Sequence, residues 1–197
     1  MPSRDVATEL AAVGRSLTGD VRVVVVRSEG ADFLDLPGLV DADWLGRPDL
    51  VSVAAVHGRA AGAGFALALS CDLRLAAEDA QLCPTALSNQ AASPPPGPSL
   101  SGTAALVDLV GRSRALELML TARRLGAREA EALGLVNLVV PRAELSGAVE
   151  DLVAALLAVP RPVATEVKAL VAGAGSRTPA QQCEAERQAR GRLDDER

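Results

Sequence analysis

Two short apolar runs limit what this chain can become. "VRVVVVRS" (Val21 to Ser28) and "LVSVAAV" (Leu50 to Val56) carry hydrophobic side chains on successive residues rather than on alternate ones. Side chains alternate between the faces of a strand, so such runs suit strands covered on both sides, as in a parallel sheet. The second run leads straight into "HGRAAGAGFALALSCDLRLA" (His57 to Ala76), where Gly58, Gly62 and Gly64 precede an alanine-rich apolar segment. That order predicts strand, tight turn, helix, with the helix over Gly62 to Leu69.

Around this centre the chain alternates further. Val6, Leu10, Val13 and Leu17 share one face of a helix that Thr18-Gly19-Asp20 stops. Glu29 to Pro48 reads as a loop rich in Gly, Asp and Pro. "CDLRLAAEDAQLC" (Cys71 to Cys83) reads as a third short strand, a turn and a further extended piece. The prolines of "SNQAASPPPGPSLSG" (Ser88 to Gly102) can continue neither ladder nor helix, so an exposed loop is expected there. Helices are expected over Ala104–Val110, Ser113–Thr121, Ala127–Leu133, Leu145–Leu157, Val163–Gly173 and Pro179 to about Arg190, with a strand at Leu135–Val140. Strands first and helices later make an α/β domain.

Composition narrows the partners. At 197 residues the chain fits one domain, and with 2% aromatic residues, no tyrosine and a net charge of -5 it has few platforms for base stacking and no general attraction to phosphate backbones. No nucleic acid is expected, and a small ligand is. Cys71, Cys83 and Cys183 are odd in number and far apart, unlike a zinc site or a disulfide framework, and read as reduced thiols. The N-terminus has no continuous apolar core and no run is long enough for a bilayer, so no membrane contact and a cytoplasmic location are expected.

The glycine turn has several physical meanings. A phosphate cradle of the Walker type would end in Gly-Lys-Ser/Thr, whereas this one ends "GAGFAL". A short-chain dehydrogenase turn would need a catalytic tyrosine, and the chain has none. Two readings stay open on spacing alone. Small residues at Gly62, Ala63 and Gly64 suit an oxyanion hole at a helix N-terminus, and they equally suit close packing of helix on sheet.

The longer stretch "SVAAVHGRAAGAGFALALSCDLRLAAEDAQL" resembles the signature of the crotonase family, the enoyl-CoA hydratase/isomerase superfamily. "SGTAALVDLVGRSRALELMLTARRLGAREAEALGLVNLVVPRAEL" (Ser101 to Leu145) is similar to the segment that follows it there, and "DVRVVVVRSEGADFLDLPGL" to the family's strand and first oxyanion loop. The resemblance spans roughly Val6 to Arg190. It implies a crotonase-like spiral of ββα units in residues 1–145 with C-terminal helices in 146–197, one continuous domain that assembles as a homotrimer or hexamer. It also implies a substrate that is an acyl thioester on coenzyme A or an acyl carrier, with no permanently bound cofactor and no metal. Two backbone N–H groups would polarise the thioester carbonyl and stabilise an enolate, Ala63 supplying one of them.

Set against the family pattern, several positions depart. The two glutamates that place water in hydratases match Ala66 and, further on, Thr85 or Ala86, none of which takes a proton. In the first oxyanion loop, "FLDLPG", an ungapped match puts Pro37 where an N–H should donate, and a one-residue shift hands the role to Leu36 or Gly38. Asp35 on that loop is the candidate catalytic base, the alternative being a solvated aspartate. His57, the only histidine, is expected to support the turn, Asp72 to hold architecture by hydrogen bonds, Trp44 to anchor a core or interface, and Arg123 and Arg124 to lie on a solvated or intersubunit face. The resemblance and these departures imply a thioester-binding enzyme that is not a conventional hydratase, or an inactive protein of the same fold that binds a thioester or a partner enzyme.

Overall fold

A computed structural model of the chain describes residues 3–36, 42–84 and 102–195, with side chains from residue 8 onward except those of residues 35 and 36. Helix α1 (Ser3–Ser16) leads to β1 (Val23–Arg27), which joins β3 (Val51–Val56), β5 (Leu73–Ala77) and β8 (Leu138–Val140) in an all-parallel sheet of order β1-β3-β5-β8. A second sheet takes the intervening strands β2 (Leu34–Leu36), β4 (Arg59–Gly62), β6 (Gln81–Cys83) and β7 (Leu125–Gly126) in that order, the last pairing antiparallel. The chain therefore steps from one sheet to the other with each turn of a spiral, β1 to β2, β3 to β4, β5 to β6. Helices α2 (Ala63–Ser70), α3 (Thr103–Val110), α4 (Arg112–Thr121) and α5 (Ala127–Ala132) fill the returns. This is the α/β spiral the resemblance implies.

Burial explains the uninterrupted valines. In β3, Ala54 and Val56 face the main core with Phe33, Leu45, Leu67, Leu82, Leu106, Leu118 and Leu135. Val53 and Ala55 point the opposite way, into a smaller core with Leu75, Leu145 and Val149 beneath α6 (Leu145–Ala158). Each fully buried leucine contributes about 1.5–3 kcal/mol of transfer free energy. Helices α7 (Arg161–Ala174) and α8 (Pro179–Asp195) follow, joined by the paired bonds of Arg192 Nε and Nη2 to the Glu166 carboxylate, both at 2.7 Å. Among the described residues no helix is long and apolar enough to cross a membrane.

Two expectations change. Arg59–Gly62 is a strand, β4, so the path out of β3 is strand, turn, strand, helix, with Gly62 as the N-cap of α2 rather than its first residue. The expected loop from Glu29 to Pro48 holds β2 and a short 3-10 helix at Asp43–Gly46. These strands, and β7, which was not expected either, are held by ladder partners distant in sequence, which periodicity does not register.

Candidate active site at the start of helix α2

Hydrogen bonds between loops fasten the entry to the site. His57 Nε2 lies 2.9 Å from the carbonyl oxygen of Gly30; a carbonyl only accepts, so that nitrogen carries the proton. The Asp32 carboxylate accepts the N–H of Arg59 at 2.9 Å, the N–H of Phe33 donates to Arg59 O at 3.1 Å, and that of Gln81 to Gly58 O at 2.7 Å. His57 thus supports the turn, as expected of it. The loop after β1 is pinned to β4, and β2 runs parallel to β4 with Leu34 opposite Ala60, Asp35 opposite Ala61 and Leu36 opposite Gly62.

At the end of that ladder the chain turns into α2. Gly62 has φ 54° and ψ -120°, a conformation that strains an L side chain, and it gives the helix no side-chain cap. A Cβ on Gly64 would stand 2.2 Å from Leu34 O, so only glycine lets β2 lie against the first turn. Ala63 to Leu69 are all buried. With glycine as its N-cap, α2 starts with backbone N–H groups and the positive end of its dipole where Leu36 meets Gly62.

The far end of the helix holds a buried cation. Arg74, 4% exposed, donates to the carbonyl oxygens of Ala68 and Cys71 at the C-terminus of α2, and to Leu135 O at 2.7 Å. Burial lowers its pKa from the usual arginine value, yet an arginine stays charged in proteins. Burial likewise pushes the Cys71 thiol up to about 12, which keeps that sulfur an unreactive packing group. Sequence reasoning missed Arg74; its signal was one charge inside the apolar strand "LRLAA".

The expected site residues therefore meet in part. Gly62, Ala63, Gly64 and the backbone of Leu36 converge, and Ala66 lies one turn further along α2, buried, with its Cα 3.4 Å from where a Cβ on Gly102 would sit. Asp35 is placed by its backbone alone, and its side chain, like that of Leu36, lies outside the described residues. Pro37, Gly38, Thr85 and Ala86 lie outside them too. The described arrangement can hold a negative oxygen by backbone dipoles, and α2 brings no acid or base to it.

A family model described as enoyl-CoA hydratase/isomerase matches residues 42–196. The chain belongs to that family. A protein of Thermobifida fusca YX, assigned as an enoyl-CoA hydratase and crystallised with CoA, is 43% identical and superposes with a TM-score of 0.85 over 96% of this chain and 82% of its own. It has also been crystallised with acetoacetyl-CoA. An enoyl-CoA hydratase subunit of Geobacillus kaustophilus HTA426 is 29% identical, with a TM-score of 0.79 over 97% of this chain and 78% of that one. YngF of Bacillus subtilis, assigned as an enoyl-CoA hydratase/isomerase, is 40% identical over 110 residues, 54% of this chain; the match spans 39% of that protein's length. Within the family fold, the network on Asp72 is architectural: its carboxylate accepts the N–H and Oγ–H of Ser52 and the ammonium of Lys168.

Proposed function

We propose that the protein binds an acyl thioester, carried on CoA or on an acyl carrier, and stabilises the enolate formed from it with backbone N–H groups at the start of α2. One observation carries the reading: the β2–β4 ladder ends, Leu36 against Gly62, at a helix start whose N-cap is a glycine with no side chain to close it. A thioester carbonyl seated there receives the N–H of Ala63 and a second N–H from the Leu36 to Gly38 segment. Losing one such donor costs about 2.7–4 kcal/mol in acyl-transfer enzymes. The CoA and acetoacetyl-CoA complexes of the Thermobifida fusca relative support the ligand class.

The residues around the helix bear on the reaction. Ala66 gives a methyl group where a hydratase glutamate would stand, and Thr85 and Ala86 give no carboxylate at the second position. Side-chain acid–base catalysis contributes about 10²–10⁴-fold per group, so water addition is disfavoured against isomerisation, decarboxylation or cyclisation. Asp35 is the base in this reading. The same lack of acid or base on α2 favours a second one, a thioester-binding protein without turnover.

Calorimetric titration with a short, non-reactive enoyl-CoA analogue tests the first. Saturable binding is expected, weakened about 10- to 100-fold by Ala63→Leu through 1–3 kcal/mol of overpacking. Absence of binding overturns the reading for CoA. Binding with no turnover of isomerisation or decarboxylation substrates selects the second reading, and turnover unchanged in Asp35→Ala removes Asp35 as the base.

A further inference from the structure

Arg74 is a buried charge that no carboxylate balances. Only 4% of it is exposed, and it makes no ion pair among the described residues. Its guanidinium is held by carbonyl oxygens instead: Nε donates to Leu135 O at 2.7 Å, Nη1 to Ala68 O at 3.4 Å and Cys71 O at 2.5 Å, and Nη2 to Asp72 O at 3.4 Å. Taking a cation out of water is costly, and a well-packed neutral side chain often serves stability as well. Packing alone therefore gives no reason for a charge here. Its position does. The carbonyls of Ala68, Cys71 and Asp72 lie at or just past the C-terminal end of α2, the negative pole of that helix.

We propose that Arg74 is a positioning residue for the reaction: its charge at the C-terminal end of α2 strengthens the hold of the backbone N–H groups at the other end on an enolate oxygen. The inference rests on the enolate-binding reading above. The eight residues of α2 span about 12 Å, and Ala63 to Leu69 are all buried, so little water screens one end from the other. The negative pole of a helix opposes what its positive pole does for an anion. A cation seated on the negative pole cancels that opposition and adds its own field. The other charges facing Arg74 offset one another, because the Asp72 carboxylate holds the Lys168 ammonium at 2.7 Å, and the Cys71 thiol is kept protonated by burial. At an effective dielectric constant of about 20, a unit charge about 12–15 Å away moves the titration of the group it acts on by about one pH unit.

Ionisation of bound acetoacetyl-CoA tests this. The carbon between its two carbonyl groups gives its proton to solvent, the electron pair passes onto the carbonyl oxygens, and the ultraviolet band of the enolate reports the midpoint. In the wild type a midpoint below that of the free thioester is expected. Arg74→Gln should raise the bound midpoint by about one pH unit, a tenfold loss of enolate stabilisation, and Arg74→Lys, which keeps the charge, should hold it near the wild-type value. Asp72→Asn takes a negative charge from the same end of α2 and should lower it. A merely structural role does not reverse sign with the charge removed. His57, Asp32 and Asp35, near the other end, are the same in every variant and drop out of the comparison. Equal midpoints in Arg74→Gln and the wild type, the same rise in Arg74→Lys, or a rise in Asp72→Asn overturns the proposal. Should Arg74→Gln not fold, Arg74→Lys and Asp72→Asn decide on the same terms. A wild type that does not bind acetoacetyl-CoA, or leaves its midpoint where it is in free solution, overturns the enolate reading and this inference with it. A lowered wild-type midpoint that the variants leave unmoved overturns the inference alone.

Discussion

Gly64 is where packing and the candidate chemistry meet in one residue. A methyl group there stands 2.2 Å from Leu34 O and 2.9 Å from Leu34 Cβ, and Leu34 is held in place by its ladder to Ala60. Gly64→Ala is expected to cost about 1–3 kcal/mol in denaturant unfolding, as overpacking does, and to weaken binding of the enoyl-CoA analogue. Gly19→Ala, where an added Cβ meets nothing within 4 Å, is the control; equal stability of the two variants would sink the argument. Lys168 carries a different load. Its ammonium reaches Asp72 Oδ2 at 2.7 Å, Leu50 O at 2.8 Å and Leu45 O at 3.1 Å, with 12% of the side chain exposed. Lys168→Met takes a donor from three acceptors and leaves Leu50 O without this partner, at an expected cost of about 1–3 kcal/mol. That is less than a fully buried pair would lose, because the Asp72 side chain is 28% exposed and keeps both Ser52 bonds. Since the two groups are coupled, Asp72→Ala added to Lys168→Met should cost less than the sum of the single changes in the same melts.

The joint between α1, the 3-10 helix and β3 responds to acid. Trp44, the sole tryptophan, packs on α1 so closely that a Cβ on Gly14 would come 2.3 Å from its ring. Next to it Arg47 grips both oxygens of Asp49, at 2.9 and 2.6 Å, and these hydrogen bonds hold the Asp49 carboxyl below the usual aspartate range. A carboxylate with a depressed folded pKa contributes stability that is present above its unfolded value and lost as pH falls through the folded one. Trp44 emission should therefore stay constant from pH 7 down to about 4, the ordinary aspartate value, and shift below it. Asp49→Asn should show the acid-form emission already at pH 7; an identical acid transition in that variant would assign the change to another group. The elements themselves differ in how legible they were. Helices such as α1 and α7 announce themselves through a 3.6-residue apolar spacing over 14 residues, whereas β2, β4 and β7 have 3, 4 and 2 residues and no pattern of their own. They are strands because a neighbour far along the chain completes their hydrogen bonds.

At the scale of the whole molecule the surface is unfinished in two places. On α4, Leu116 and Leu120 are 57% and 75% exposed, and on α7, which buries no residue in the single chain, Val167 and Val171 are 52% and 70% exposed. Both pairs are spaced four apart, so each makes an apolar stripe on one helix face. Apolar stripes of this kind suit a contact with further copies of the chain, which the homotrimer or hexamer implied by the resemblance would require. Light scattering is expected to give a trimer or a multiple of it. Leu120→Glu combined with Val171→Glu should lower the number of chains per particle. A wild-type monomer would contradict this use of the stripes.

Residue order alone carried the class of the fold, most of its helices, the buried strands β1, β3 and β5, and the glycine turn as the place of interest. These follow from local rules, because apolar spacing records which faces are covered and glycine marks where a Cβ does not fit. It did not show that Arg59–Gly62 is a strand, that Arg74 closes the far end of α2, that Lys168 ties α7 to Asp72, or in which order the strands of each sheet lie. Each of those depends on partners 22 to 123 positions away, or on which strands stand beside one another. Whether a given N–H is used by a ladder, capped by a side chain or left facing solvent is decided by what the rest of the chain brings beside it, and only the tertiary structure decides that.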